Sequence, residues 1–280
     1  MLCEAASFLA VTRVVYCSIV SYDEILNKME ISKPYTLSIA GFDPSAGAGI
    51  LADIKTFEAN GVYGLGVVSA LTWQNDVEFE KVEWVAVNKI IEQVEVLLRR
   101  FDVRYIKIGL VESMDVLQRV IRFLKEKIND PVIVYDPVLK ASAGFGFHNI
   151  EQGQFMRAID GVYCITPNIP EANLLFGADD LEDKLEACSE TVNVYLKGGH
   201  GTGSIITDLL FTKDHTYAFP NDRLPKGEKH GSGCVLSSAL TAQLALGNEI
   251  DVAAENANAY TYKFLASNET LLGYHNSITI

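Results

Sequence analysis

The chain has 280 residues, 49% of them hydrophobic, so it holds enough apolar side chain for a sizeable core and wholesale disorder is excluded. Its formal net charge of -13 excludes the broad basic surface that a nucleic acid requires, but leaves room for a local anion pocket built from backbone N–H groups. The five cysteines (Cys3, Cys17, Cys164, Cys188 and Cys234) are odd in number, lack a C-x-x-C pair and fit no zinc spacing, so they read as reduced thiols of a cytoplasmic protein.

The first stretch, MLCEAASFLAVTRVVYCSIV, is apolar enough to raise the question of a signal peptide or a membrane anchor. Glu4 stands where a positive n-region belongs, and Arg13 interrupts a run too short to span. The ordered pattern begins near Pro34, with Met29 just before it. Residues 1–30 are therefore expected to be an extension outside the fold, with Met29 the working start, and 31–280 a single domain.

TLSIAG (Thr36–Gly41) predicts a short strand ending in glycine. AGILADIKTFEANG follows, with Ile50, Ile54 and Phe57 at helical spacing and a stop at Asn60-Gly61. VYGLGVVSALTWQ reads as a buried strand, and NKIIEQVEVLLRRF as an amphipathic helix. Then come the strand YIKIGL, the helix DVLQRVIRFLKEKI, the strand VIVYDPV, the short CITPN, a helix through EANLLFG and the strand VNVYLKGG. SIITDLLFT and TYAF form a pair before the helices that follow Gly233. Apolar strands alternating with amphipathic helices predict an α/β fold with a mostly parallel sheet covered on both faces. Ligands of such folds sit beyond the carboxyl ends of the strands. Gly41 to Gly49, Gln74, Gly109, Asp136, Asn168 and Gly198 all fall there.

Four segments could carry chemistry. GSGC, residues 231–234, opens an apolar helix whose first N–H groups lack intrahelical partners and carry roughly half a positive charge. Glycines let a phosphate approach that backbone closely, yet the same segment is also a plain loop-to-helix turn, and Cys234 alone reads as a small buried hydrophobe. GFDPSAGAGILAD lacks G-x-G-x-x-G spacing; a tight turn explains it, and the coincidence of Asp43, Asp53 and Gln74 at successive strand ends favours a ligand. In TPNIPEA, Asn168 and Glu171 could face one metal ion and its waters, or could simply cap a helix. In YLKGGHGTGS, Lys197 could neutralise phosphate or be a solvated strand-end charge.

Taken in order, SIAGFDPSAGAGILADIKTFEANGVYG, SALTWQND, IKIGL, DPV, ITPNIPEA, LKGGH and HGSGC make the chain resemble the ribokinase-like superfamily, and within it the hydroxymethylpyrimidine/phosphomethylpyrimidine kinases of thiamin biosynthesis. The match runs from about Thr36 to Phe264. The resemblance implies a ribokinase-like domain that uses ATP and Mg²⁺ to phosphorylate a small pyrimidine substrate, with no nucleic acid or membrane partner, as a homodimer. It implies that Gln74 reads the aminopyrimidine edge, with Gly41, Asp53, Leu110 and Val138 around it. Gly231, Ser232 and Gly233 would present N–H groups to the transferring phosphate, beside Cys234 as a base with a lowered pKa. Asn168, Lys197 and Gly199 would meet the nucleotide, and Glu171 and Asp136 the metal. Ala46 departs from a glycine found in many relatives, a small change. Lys140 and Ala143 depart from their Lys-Ser-Gly spacing, and Ala141–His148 is expected to form a flexible cover. Three other readings stay open: a pyridoxal or pyridoxine kinase, against which Gln74 counts; a non-catalytic pyrimidine-binding domain; and a sugar kinase, weakened because GSGC lacks a carboxylate base.

Overall fold

The computed structural model describes residues 33–139, 152–199 and 203–276. The expected extension at 1–30 and the expected cover at 141–148 lie outside these residues. Within them, nine strands form one sheet. They are β1 (Tyr35–Phe42), β2 (Tyr63–Gln74), β3 (Phe79–Trp84), β4 (Val103–Ile108), β5 (Val132–Tyr135), β6 (Cys164–Ile165), β7 (Asn193–Leu196), β8 (Ile205–Phe211) and β9 (Thr216–Asp222). Their spatial order is β3-β2-β1-β4-β5-β6-β7-β8-β9. The centre from β2 to β7 is parallel, as expected, while β2–β3, β7–β8 and β8–β9 pair antiparallel.

Among the described residues eight helices accompany the sheet: α1 (Gly49–Ala59), α2 (Val87–Leu98), α3 (Met114–Lys127), α4 (Gln152–Ala158), α5 (Ile169–Phe176), α6 (Leu181–Ser189), α7 (Ser232–Ala245) and α8 (Ile250–Leu265). The two-residue period of a strand sends neighbouring side chains to opposite faces, and the central strands use both. Ile133 and Tyr135 of β5, Ile165 of β6 and Val194 and Leu196 of β7 pack with Ile90 and Val94 of α2 and Leu117 and Leu124 of α3. The residues between them, Val134, Cys164 and Tyr195, pack instead with Val235, Leu236 and Leu240 of α7 and Ala254 and Tyr260 of α8. Every residue of α7 from Val235 to Leu244 is buried, the polar Ser237, Ser238, Thr241 and Gln243 included, which explains why that helix carries no charged, solvent-facing stripe.

The antiparallel edge strand β3 and the helices α4 and α6 have no counterpart in the predicted elements. The sequences FEKVEW and LEDKLEACS hold too few apolar residues to set a clear period. The order of strands reverses at β1, which has β2 on one side and β4 on the other. That seam is where an open α/β sheet leaves a crevice at its carboxyl end.

Candidate active site

A cavity of about 1230 Å³ opens over the carboxyl ends of the strands. Gly41 at the end of β1, Gln74 at the end of β2 and Leu110 after β4 form one part of its wall. Asp136 and Val138 after β5, Asn168 after β6 and Lys197 and Gly199 after β7 continue it, and Gly231 to Cys234 close it. Of the residues that the resemblance assigns to the site, only Asp53 is not on this wall; Asp43, singled out at a strand end, is off it as well.

The β1–α1 loop is shaped by Asp43. Its carboxylate accepts the Ser45 N–H at 2.9 Å, the Ser45 hydroxyl at 2.8 Å and the Ala48 N–H at 2.8 Å, and meets Nε2 of His230 at 2.8 Å. Burial pushes the Asp43 carboxyl up, but His230 and Ser45 outweigh it and hold it below the usual carboxylate range. Asp43 is fully buried, so it organises the loop and is not a ligand group on the wall. Glycine is required at two points here. Gly49 has φ +59° with its Cα facing the Gly41 carbonyl, and Gly231 has φ +75° and lies against the Gly47 carbonyl; a Cβ at either would collide with backbone. The loop and the turn before α7 thus stand backbone to backbone.

Gly231 is the N-cap of α7, and Ser232, Gly233 and Cys234 form its first turn, with no side chain capping it and no acidic residue in that turn. Uncapped N–H groups at the start of a 14-residue helix form an anion site. A Cβ on Gly233 would lie 3.1 Å from Lys197 Nζ and 3.7 Å from Asp136 Oδ2, so glycine keeps this corner open beside the two charges.

Lys197 Nζ donates to Asp136 Oδ1 at 2.9 Å and stands 3.8 Å from Glu171 Oε2. Thr166 Oγ1 also donates to Asp136, at 3.1 Å. Burial raises the Asp136 carboxyl, yet Lys197 and Lys107 win and hold it below its ordinary value. Glu171 is raised, by burial first and by the Asp136 charge, against the pull of Lys197. Asn168 and Glu171 do form the capping box weighed above: Asn168 Oδ1 accepts the Glu171 N–H at 2.9 Å, and Glu171 Oε2 accepts the Asn168 N–H at 2.8 Å. Capping and wall position coexist. Beyond β7, Asp208 accepts the Gly198 N–H at 2.7 Å and the Tyr195 hydroxyl at 2.8 Å, fixing the turn that carries Gly199.

Two expectations are corrected. Asp53 is fully buried behind the wall, where it takes Lys107 Nζ at 2.8 Å, the Ser38 hydroxyl at 2.6 Å and the Ser238 hydroxyl at 2.7 Å. Its α1 position faces the sheet rather than the cavity. The Cys234 thiol is not lowered: burial pushes it up to about 11, and although Lys107 pulls the other way, the Asp53 and Asp136 charges add to the rise. Desolvation exceeds the field of the helix end.

Three contributors were absent from the expected site: Lys107, His230 and Thr72, all on the cavity wall. Lys107 is fully buried, and the opposed pulls of burial and Asp53 leave it above the ordinary lysine range. A signal was present, since a lysine between Ile106 and Ile108 of a central strand is a charge that must find a buried partner. Nothing local identifies that partner. Lys140 lies outside the described residues.

Residues 43–279 match the family described as phosphomethylpyrimidine kinase. A hydroxymethylpyrimidine/phosphomethylpyrimidine kinase of Aquifex aeolicus (strain VF5) is 32% identical over 245 residues, covering 84% of this chain and 95% of that protein. Among solved structures, a phosphomethylpyrimidine kinase from Clostridium difficile 630 superposes with a TM-score of 0.69 at 35% identity, covering 82% of this chain and 99% of that one. A pyridoxal kinase from Staphylococcus aureus in complex with ADP superposes with a TM-score of 0.73 at 25% identity, covering 84% and 89%.

Proposed function

Because the chain belongs to the phosphomethylpyrimidine kinase family, we propose that it transfers the γ-phosphoryl group of ATP to 4-amino-5-hydroxymethyl-2-methylpyrimidine and then to the monophosphate, giving the diphosphate used for thiamin. One observation carries the reading at the level of residues: the uncapped start of α7 and Gln74 share a single cavity, with Lys197 and Asp136 beside the helix end. A heteroaromatic alcohol held at Gln74 and a nucleotide phosphate held at Gly231–Gly233 can then meet.

Phosphoryl transfer asks for positioned reactants and positive potential around the equatorial oxygens more than for covalent help. The N–H groups of Gly233 and Cys234 at the helix start and the ammonium of Lys197 supply that potential, while the Ser232 N–H is turned to the Lys229 carbonyl at 3.4 Å. Cys234 stands in the same first turn as a protonated thiol at neutral pH. In a loose transition state the acceptor hydroxyl loses its proton late, so no protein base is required: the proton passes to an oxygen of the transferred phosphoryl group as the new O–P bond forms and the bond to ADP breaks. Asp136 and Glu171 offer carboxylate oxygens suited to a hard cation that arrives with a nucleotide. Among the described residues no group of three His, Cys, Asp or Glu forms a cage by itself, which suits Mg²⁺ bound mainly through phosphates and water. When bound, the ion would neutralise phosphate charge. Asn168 and Gly199 would border the nucleotide, and Leu110 and Val138 the apolar ring faces.

Among the described residues no helix is long and apolar enough to cross a membrane, and Cys164, Cys188 and Cys234 are free thiols, which supports a cytoplasmic site of action. The reading includes a homodimer, with Leu71 and Trp73, each 42% exposed, as apolar surface for a second copy to cover.

The test is product mass after incubation with the pyrimidine alcohol, or in parallel with pyridoxal, and Mg-ATP. Monophosphate and diphosphate of the pyrimidine are expected. No phosphorylated pyrimidine, with or without pyridoxal phosphate, overturns the reading.

A further inference from the structure

Thr72 and Gln74 are two residues apart on β2, so their side chains share one face of the strand and both reach the cavity wall. Leu71 and Trp73 take the other face. Thr72 is only 6% exposed, and its Oγ1 donates to the Phe42 carbonyl at 2.8 Å. A threonine hydroxyl carries one proton. With that proton committed to the end of β1, Oγ1 has only lone pairs to offer Gln74. Its partner is Gln74 Nε2, which donates to it at 2.9 Å. The reversed amide would set Oε1 against Oγ1, two acceptors with no proton between them.

We propose that Thr72 is the specificity-determining positioning residue for the ring of the acceptor. By holding Gln74 Nε2, it leaves Oε1 and the second Nε2 proton as an acceptor–donor edge of fixed sense. That edge complements a heteroaromatic ring in which an exocyclic amino donor stands beside a ring-nitrogen acceptor. A pyridine with a hydroxyl at the corresponding place does not present this pair. The selectivity therefore arises from a hydroxyl that never touches the substrate, through a chain running from the Phe42 carbonyl to Thr72 to the amide. This inference rests on the pyrimidine-kinase reading and deepens it.

The experiment compares wild type, Thr72→Val and Thr72→Ser in steady-state kinetics with Mg-ATP. The acceptors are the aminopyrimidine alcohol and its analogue with hydrogen in place of the amino group. Valine keeps the shape and removes the hydroxyl; serine keeps the hydroxyl. Thr72→Val is expected to raise KM for the aminopyrimidine about tenfold, with kcat within about threefold, since one oriented hydrogen bond is worth roughly that factor. It is also expected to shrink the preference for the amino compound over its analogue about tenfold, while Thr72→Ser stays within about threefold of wild type on both. A role in packing alone would lower both acceptors together and leave the preference intact. Thermal melting checks that the valine variant folds, and Thr72→Ala replaces it if it does not. Unchanged KM and preference in the variant lacking the hydroxyl, or equal losses in the serine variant, overturn the inference while the activity reading stands. Wild-type protein that phosphorylates pyridoxal but not the aminopyrimidine overturns both.

Discussion

Ala46 adopts φ +58°, a left-handed backbone that glycine takes freely and alanine only with strain. The exchange for glycine at this position is therefore not the small change that side-chain size suggests. The loop holds it there: Ala46 N–H donates to the Asp43 carbonyl at 3.0 Å, and Lys55 Nζ donates to the Ala46 carbonyl at 2.9 Å. Relief of strain is partly offset by the greater freedom of glycine in the unfolded chain, so Ala46→Gly is expected to stabilise the protein by about 0.5–1 kcal/mol. Urea denaturation measures it, and a variant less stable than wild type contradicts the account. The Gly41, Gly49 and Gly231 positions were legible because a tight turn between a strand and a helix needs such residues. The strain at Ala46 was not, because sequence does not report φ.

At the scale of elements, one buried ion pair joins the sheet to two helices. Asp53 of α1, Lys107 of β4, Ser238 of α7 and Ser38 of β1 meet with no solvent contact. Ser238 lies one helical turn beyond Cys234, so the same contact sets the depth of the helix whose first turn faces the cavity. Removing the ammonium leaves a carboxylate without its counter-charge, and Lys107→Met is expected to cost about 3–5 kcal/mol. Adding Asp53→Asn is expected to recover at least about 1 kcal/mol, because an amide oxygen still accepts a serine hydroxyl without bringing a charge. Denaturant midpoints of both single variants and the double variant give the coupling. Strict additivity would show that the pair does not act as a unit. The helix periods and strand runs that frame this cluster are legible in the sequence, whereas the side of the wall that Asp53 takes is not: the expectation sets it in the cavity and the fold buries it behind. Its neighbours in sequence, Ala52 and Ile54, gave no sign of which face the carboxylate takes.

At the scale of the whole molecule, packing sets how stability responds to pH. Burial pushes the Cys164 thiol up to about 12 and the Cys188 thiol up to about 11. As pH rises past the ordinary thiol value of about 8.5, the unfolded chain loses these protons first. The folded state then binds more protons, so stability falls with rising pH. This contribution is complete below about pH 8.5 and is lost between there and about 12. Asp43 and Asp136, held low, act in the opposite sense: their contribution is present above the unfolded carboxylate range and is lost as pH falls. The midpoint of thermal unfolding is expected to be flat near neutrality and to decline from about pH 9 upward. Cys164→Ala is expected to lessen that alkaline slope, though it also trims the core. A slope equal to wild type would mean that the folded thiol ionises as freely as the unfolded one.

Local order in the sequence determined the strands other than β3, most helices, the glycine turns, the helix start at Gly231 and the capping box of Asn168 and Glu171. Each depends on residues within a few positions of one another, and period, caps and left-handed turns act over that range. Tertiary structure alone decided the partners of Asp43 and His230, 187 residues apart, and of Asp53 and Lys107, 54 apart. It also decided that the Cys234 thiol rises when a helix start by itself would lower it. A charge takes its partner and its proton affinity from what surrounds it in space, and in this chain those surroundings are assembled from distant segments.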